Sequence, residues 1–269
     1  MRYFFHIGFN GRNYNGWQRQ ANAKRSVQQV IEEALSQILR TPTSIAGCGR
    51  TDAQVHASQF FFHVDIEHPW DFDLIFRINK TLPDDIAVFD IFPVAKNVNA
   101  RFAATARTYD YFIHTYKNPF LSPVSSLYLE KNLHLEKMKQ AVSFLPLYQD
   151  YRALCKSPDN YRTTLCKVSS ASLMTDGKGD HIRFQITADR FLGKMIRIIV
   201  GKLLLIGKGE LSVDEFENYL ITRKTPEALD PAFAQGLYLS KVTYPFLDIP
   251  PRSDFSIIMQ APVDSWQMV

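Results

Sequence analysis

Residues 2–9, RYFFHIGF, alternate so that Tyr3, Phe5, Ile7 and Phe9 share one face, the period of a half-buried strand. The next patterned run, SVQQVIEEALSQILR (26–40), changes period. Val27, Val30, Ile31, Ala34, Leu35 and Ile38 form a helical stripe, with Ser26 placed to cap it and Gln29 to close a capping box. Apolar runs near 43–48 and 57–65 read as strands, 71–80 as a helix and 86–92 as a strand. Strand, helix, strand, strand, helix, strand is the split, ferredoxin-like order.

The second half repeats this order. TYDYFIHTY (108–116) reads as a strand and LEKMKQAVSFL (135–145) as a helix. CKVSSASLMT (166–175) and HIRFQITA (181–188) flank DGKGD, whose Asp-Gly marks a hairpin turn. Helices over 191–207 and 212–222 then precede a last strand, GLYLSKVTY (236–244). The pattern predicts an α+β protein: two ferredoxin-like units sharing one extended, mainly antiparallel sheet, with helices on one face and a central cleft. The expected divisions are 1–102 for the first unit, 103–245 for the second, and 246–269 for a Pro-broken tail that packs on the body. Residues 150–164 are polar and read as a long loop.

Composition narrows the class. The 269 residues are 46% hydrophobic and 13% aromatic, enough for a large core and incompatible with a disordered chain. A net charge of +4 is compatible with a polyanionic partner without requiring one. The opening MRYFFHIGFN lacks the apolar core and cleavage site of a signal peptide. The most apolar run, MIRIIVGKLLLIG, is too short to span a bilayer and carries Arg197 and Lys202. Cys48, Cys155 and Cys166 form neither an even disulfide framework nor a CxxC pair. The expectation is a cytoplasmic protein with reduced thiols and no membrane contact.

One connection stands out. CGRTDAQVHASQFFFHV (48–64) sets a polar hexad, GRTDAQ, against a run of aromatics, where the second half has only the ordinary turn TDGKGD. No His, Cys or acidic cluster at ligand spacing accompanies Asp52, so no metal is expected, and no second carboxylate suits a glycosidase. A lone aspartate beside Arg50 fits an ionised nucleophile, since a nearby arginine favours the charged form. From the residues alone, a turn with an exposed ion pair is the more common reading.

Two further segments carry basic residues in apolar company. RFAATARTYDYF (101–112) puts Arg101 and Arg107 ahead of Tyr109. In FLGKMIRIIVGK (191–202) and beyond, Lys194, Arg197, Gly201 and Lys208 fall within about 60° of one another on a helix. Arg197 lies among isoleucines, a costly burial unless a carboxylate or phosphate meets it.

Together these segments resemble the tRNA pseudouridine synthase A family. The resemblance runs through FNGRNYNGWQRQ (9–20), SVQQVIEEAL, GRTDAQVHA (49–57), RFAATARTYDY (101–111), FLGKMIRIIVG (191–201) and GLYLSKVTYP (236–245), nearly the whole chain. It implies the pseudouridine synthase fold and an isomerase that converts uridine to pseudouridine at positions 38–40 in the anticodon arm of tRNA, with no cofactor. It implies that Asp52 is the catalytic nucleophile and that Arg50 holds the space a flipped nucleotide vacates. By the same resemblance Tyr109 packs on the flipped uracil, Arg197 pairs with the nucleophile and Leu237 forms part of the apolar pocket wall. A homodimer embracing tRNA is implied too, with Lys24, Arg25, Lys156, Arg162 and Lys167 as candidate phosphate contacts.

The chain departs from the family pattern at Gln54, where GRTDAGVHA has glycine. It departs again at Ala232-Phe233-Ala234, where the family has Ala-Pro-Ala, and at Cys166, where arginine is common. Gln54 must adopt a left-handed conformation or project its amide toward the pocket. It motivates the alternative of a divergent RNA-binding paralogue with altered substrate or little catalysis. A nucleosidase releasing free uracil is the remaining reading.

Overall fold

The chain runs β1 (Arg2–Phe9), α1 (Val27–Leu39), β2 (Ala46–Gly47), β3 (His56–Asp65), α2 (Leu74–Thr81), β4 (Ile86–Val94), β5 (Ala106–His114) and β6 (Ser126–Leu127). It continues through α3 (Leu135–Phe144), β7 (Val168–Thr175), β8 (His181–Ala188), α4 (Met195–Lys208), α5 (Val213–Thr222), β9 (Leu237–Thr243) and β10 (Gln267–Met268). The structure is a computed structural model that describes residues 1–20, 25–68, 70–130, 132–250 and the backbone of 267–268. It is a mixed α+β fold of two units, Met1–Thr105 with Tyr238–Ser253, and Ala106–Leu237 with Asp254–Val269.

In the first unit the strands lie in the order β4-β1-β3-β2, each neighbour antiparallel, the ferredoxin-like arrangement. β9 adds a short parallel pairing at the start of β3, His56 with Tyr238 and Ala57 with Leu239. β1 is not half-buried as its alternation predicts, for Phe4, Phe5 and Ile7 are all fully buried. On one face Phe5 stacks on Phe62; on the other Phe4 meets Phe61, Tyr244 and Phe246. The returning 238–250 segment therefore covers a second face, and the same packing explains the buried FFF run of β3. Gln59 holds this segment: its Oε1 accepts from Val242 N–H, and its Nε2 donates to the carbonyls of Ile249 and Pro250.

Ser26 caps α1, accepting from Gln29 N–H at 3.2 Å. The Gln29 amide turns instead to Glu33, so the expected reciprocal box does not form. The full box occurs at α5, between Ser212 and Glu215. α1 also buries Gln28 and Glu32, which knot the segment before β2: Glu32 accepts from Ile45 N–H and Gln28 Nε2 donates to Ile45 carbonyl.

In the second unit β7, β8 and β5 are antiparallel neighbours, with β10 on the outer side of β7 and β6 parallel to β5. α3 packs against α4, α5 and β7. The polar stretch 150–164 contains two short 3-10 turns rather than a featureless loop. Its Tyr151 is fully buried, as are Cys155 and Cys166. Burial pushes the Cys155 thiol up to about 11 and the Cys166 thiol up to about 12, so both behave as core apolar groups.

Candidate active site

Asp52 lies in the connection between β2 and β3. Its carbonyl accepts from Val55 N–H at 3.2 Å, closing a tight turn over Asp52–Val55. Gln54, third in that turn, has φ +67°, the left-handed conformation that favours glycine there. Its side chain is exposed and Asp52 is half-buried.

A second loop, Asn10–Trp17, lies against this turn. Tyr14 carbonyl accepts from Gln54 N–H at 3.2 Å, Trp17 N–H donates to Thr51 carbonyl at 3.3 Å, and Gly11 N–H donates to His56 Nδ1 at 3.1 Å. The approach is too close for side chains. A Cβ on Gly16, whose φ is +78°, would stand 2.3 Å from Thr51 carbonyl oxygen, and one on Gly11 would stand 1.9 Å from that of Val55. Trp17 anchors the loop in the core, with its ring 4.1 Å from Phe60. Tyr14 hydroxyl donates to Asp85, in the connection between α2 and β4. Burial, reinforced by that bond, raises the phenol far above its ordinary range.

Arg50 is exposed and donates from Nε to Gln18 Oε1 at 3.2 Å. Gln18 Nε2 in turn donates to Gln28 Oε1 at 2.8 Å, so the buried polar knot of α1 extends to Arg50.

Tyr109, Arg197 and Leu237 belong to the second unit. Tyr109 sits on β5, buried, with its ring edge-on to Phe191 at 5.1 Å. Arg197 is half-buried on α4 and donates from Nε to Ala232 carbonyl at 2.7 Å, while Ala232 N–H donates back to Arg197 carbonyl at 2.8 Å. Gly201 permits this docking, since a Cβ there would fall 1.9 Å from Asp230 carbonyl oxygen. Lys202 is the buried cation of α4, its Nζ donating to Ala228 carbonyl at 2.5 Å and pairing with Asp230 at 3.2 Å. The basic stripe divides: Lys208 pairs with Glu130 at 2.6 Å, and Lys194 is the left-handed N-cap of α4. Leu237 is buried at the start of β9.

Of the candidate phosphate contacts, Arg25, Lys156, Arg162 and Lys167 are exposed, and Lys24 lies outside the described residues. Among the described residues no group of three or more His, Cys, Asp or Glu is arranged to hold a metal ion. No helix among them is long and apolar enough to cross a membrane.

A family model for tRNA pseudouridine synthase matches residues 148–245. The tRNA pseudouridine synthase A of Porphyromonas gingivalis is 39% identical over 249 residues, covering 91% of this chain and 97% of its own length. That of Parabacteroides distasonis is 42% identical over 247 residues, covering 91% and 96%. That of Francisella tularensis subsp. novicida is 35% identical over 251 residues, covering 90% and 94%. The chain belongs to the tRNA pseudouridine synthase A family.

The departures from the tRNA pseudouridine synthase A pattern have physical accounts. Gln54 keeps the backbone that glycine would adopt, its side chain directed to solvent. Phe233 uses a donor that proline lacks: its N–H donates to Tyr128 Oη at 3.1 Å, its ring stacks on Tyr128 at 5.2 Å, and its carbonyl accepts from Tyr111 hydroxyl at 2.7 Å. A proline ring's stiffness is replaced by bonds on both sides of the residue. Sequence reasoning missed Tyr14, Asp85, Gly16 and Lys202. The two glycines five residues apart around a tyrosine in GRNYNG were the available signal for Tyr14 and Gly16.

Proposed function

We propose that this chain isomerises uridine to pseudouridine in the anticodon arm of tRNA, at positions 38–40, with Asp52 as the nucleophile. The glycosidic bond between C1′ and N1 of the uracil breaks, the base turns, and C1′ bonds to C5. The proton lost from C5 is balanced by one gained at N1, so nothing is consumed. The target must leave its stack to be reached. Arg50 fills the space it vacates, Tyr109 packs on the uracil, Arg197 pairs with the Asp52 carboxylate and Leu237 walls the pocket. The protein acts in the cytoplasm as a homodimer, with Lys24, Arg25, Lys156, Arg162 and Lys167 on tRNA phosphates. Recognition through shape and backbone suits an enzyme that serves adjacent positions.

The observation that carries this reading is the Asp52 turn itself. An aspartate in a loop held from outside by a second loop, in a chain about 40% identical to tRNA pseudouridine synthase A relatives, is built for positioning. The retained left-handed turn at Gln54 favours catalysis over the RNA-binding paralogue.

Unmodified tRNA incubated with the protein and mapped by carbodiimide-stop sequencing is expected to show product at 38–40. Asp52→Asn is expected to give none while binding tRNA with the same salt dependence. Equal product from Asp52→Asn refutes the assignment, and binding without product from the wild type supports the paralogue.

A further inference from the structure

We propose that Tyr14 and Asp85 are positioning residues for the reaction, forming a brace that holds the Asp52 turn in its productive place. This rests on the reading of Asp52 as nucleophile. The path is short and continuous. Asp85 is tied to the 10–17 loop by its backbone and its side chain: its carbonyl accepts from Asn10 N–H at 2.8 Å, and one carboxylate oxygen accepts from Asn13 Nδ2 at 3.3 Å. The other carboxylate oxygen takes the Tyr14 hydroxyl. Tyr14 carbonyl then accepts Gln54 N–H, two residues from Asp52.

Each element of the brace does something the turn cannot do for itself. Within the turn, the bond from Val55 N–H to Asp52 carbonyl sets local shape but not the turn's position on the sheet. Gln54 is in a strained conformation for a residue with a side chain, so an external acceptor for its N–H helps to hold it there. The acceptor must be stiff, and Tyr14 is buried with both ends of the residue bonded. The phenol stays protonated throughout the neutral range because burial and Asp85 raise it, and the nearby Arg25 charge opposes this only in part. The hydroxyl is therefore a constant donor. The Asn10–Trp17 loop meets the turn edge to edge through Gly16 and Gly11, so a shift in the loop is passed on rather than absorbed.

The test is a kinetic cycle on the full-length protein with unmodified tRNA, at a temperature where every variant is shown folded by near-ultraviolet circular dichroism. Tyr14→Phe and Asp85→Ala are each expected to lower kcat roughly tenfold, the scale of a small misplacement of a reacting group. KM for tRNA is expected to stay within about twofold, because the brace touches positioning rather than binding. The double variant should be no slower than the Asp85→Ala single, since that variant already removes the Tyr14–Asp85 bond together with the Asn13 bond. Asp85→Asn, whose amide oxygen still accepts from Tyr14, should recover most of the rate. Wild-type kcat in Tyr14→Phe, additive losses, or an effect confined to KM overturns the brace. Asp52→Asn is assayed beside them. If it is inactive while Tyr14→Phe is unimpaired, only the brace falls; if it is active, the nucleophile reading falls first.

Discussion

The connection from β2 to β3 and the connection from β7 to β8 occupy equivalent places in the two ferredoxin-like units, and they draw on outside partners to different degrees. The β7–β8 turn takes its shape mainly from its own residues, with one outside tie where Thr115 donates from its N–H to Asp180 carbonyl and from its hydroxyl to the Asp180 carboxylate, each at 3.0 Å. Asp176 accepts from Asp180 N–H at 2.9 Å and pairs with the His181 ring at 2.7 Å, and Gly179 N–H donates to Asp176 carbonyl at 3.0 Å. The β2–β3 connection closes the bond from Val55 N–H to Asp52 carbonyl and is tied to the Asn10–Gln18 segment by bonds with Tyr14, Trp17, Gly11 and Gln18. A turn that only reverses the chain can draw most of its bonds from its own residues, as Asp176 does here. A turn that must hold a side chain to a fraction of an ångström is referenced to a separate rigid element. On the proposal that Asp52 is the nucleophile, dependence on a distant loop distinguishes the connection that would carry the chemistry.

Glycine substitution is the sharpest way to break the comparison. Gly16 and Gly179 have nearly the same φ, +78° and +75°, so the left-handed cost of adding a methyl is shared. Their surroundings differ: 2.3 Å from Thr51 carbonyl oxygen for Gly16, and 3.9 Å from the Leu135 side chain for Gly179. Gly16→Ala is expected to cost about 2–4 kcal/mol, strain plus overpacking against backbone, and to depress kcat. Gly179→Ala is expected to cost about 1 kcal/mol and to leave kcat alone. Urea midpoints and single-turnover rates on both variants measure this. Equal costs would mean that the Asn10–Trp17 loop yields easily and is no reference at all.

The same contrast explains what was legible in the sequence. Element order was readable because strand and helix periods are local, and β1, α1, α3 and the β7–β8 hairpin fall close to where alternation and turn residues put them. Asp52, Arg50, Tyr109, Arg197 and Leu237 are proposed as site residues through resemblance alone; the residues themselves left a turn ion pair standing. What stayed hidden depends on partners far along the chain. β1 is covered on its second face by Tyr244 and Phe246, which no window around residues 2–9 contains. Asp85 is 71 residues from Tyr14. The Ser26 cap was visible, but whether Gln29 would reach back or turn to Glu33 depends on competition between two acceptors of similar reach.

A smaller effect tests the β7–β8 side. Burial alone would push the Asp176 carboxyl upward, but bonds from the His181 ring and from the N–H groups of His181 and Asp180 outweigh it and hold the group below its ordinary 3.8. A depressed carboxylate contributes stability that is fully present above 3.8 and is lost as pH falls through the lower folded value. Asp176→Asn keeps an oxygen for the backbone donors and loses the charge and the second oxygen, which meets the His181 ring. It is expected to lower stability at neutral pH by about 1 kcal/mol or less, with the difference from wild type closing in the acid range. Urea midpoints measured from neutral pH down to pH 3 should converge, and kcat at neutral pH should not move. A drop in kcat would show that this turn, too, reaches the chemistry.

The smallest expected effect concerns Gln54, and it decides what the departure from the family glycine means. A left-handed side-chain-bearing residue costs about 1–2 kcal/mol, while glycine loses about 0.4–1 kcal/mol through its freer unfolded chain. Gln54→Gly should therefore stabilise by roughly 0.5–1 kcal/mol. The φ of +67° suits glycine without rearrangement, and the exposed amide leaves no packing to lose. If the brace alone holds the turn, kcat should stay within about twofold, because the Tyr14 carbonyl bonds a backbone N–H that both residues possess. A large rise in kcat would mean that the Gln54 side chain restrains the reaction. A large fall would mean that the side chain stiffens the turn beyond what the Asn10–Trp17 loop supplies, and the β2–β3 connection would then be partly self-sufficient after all.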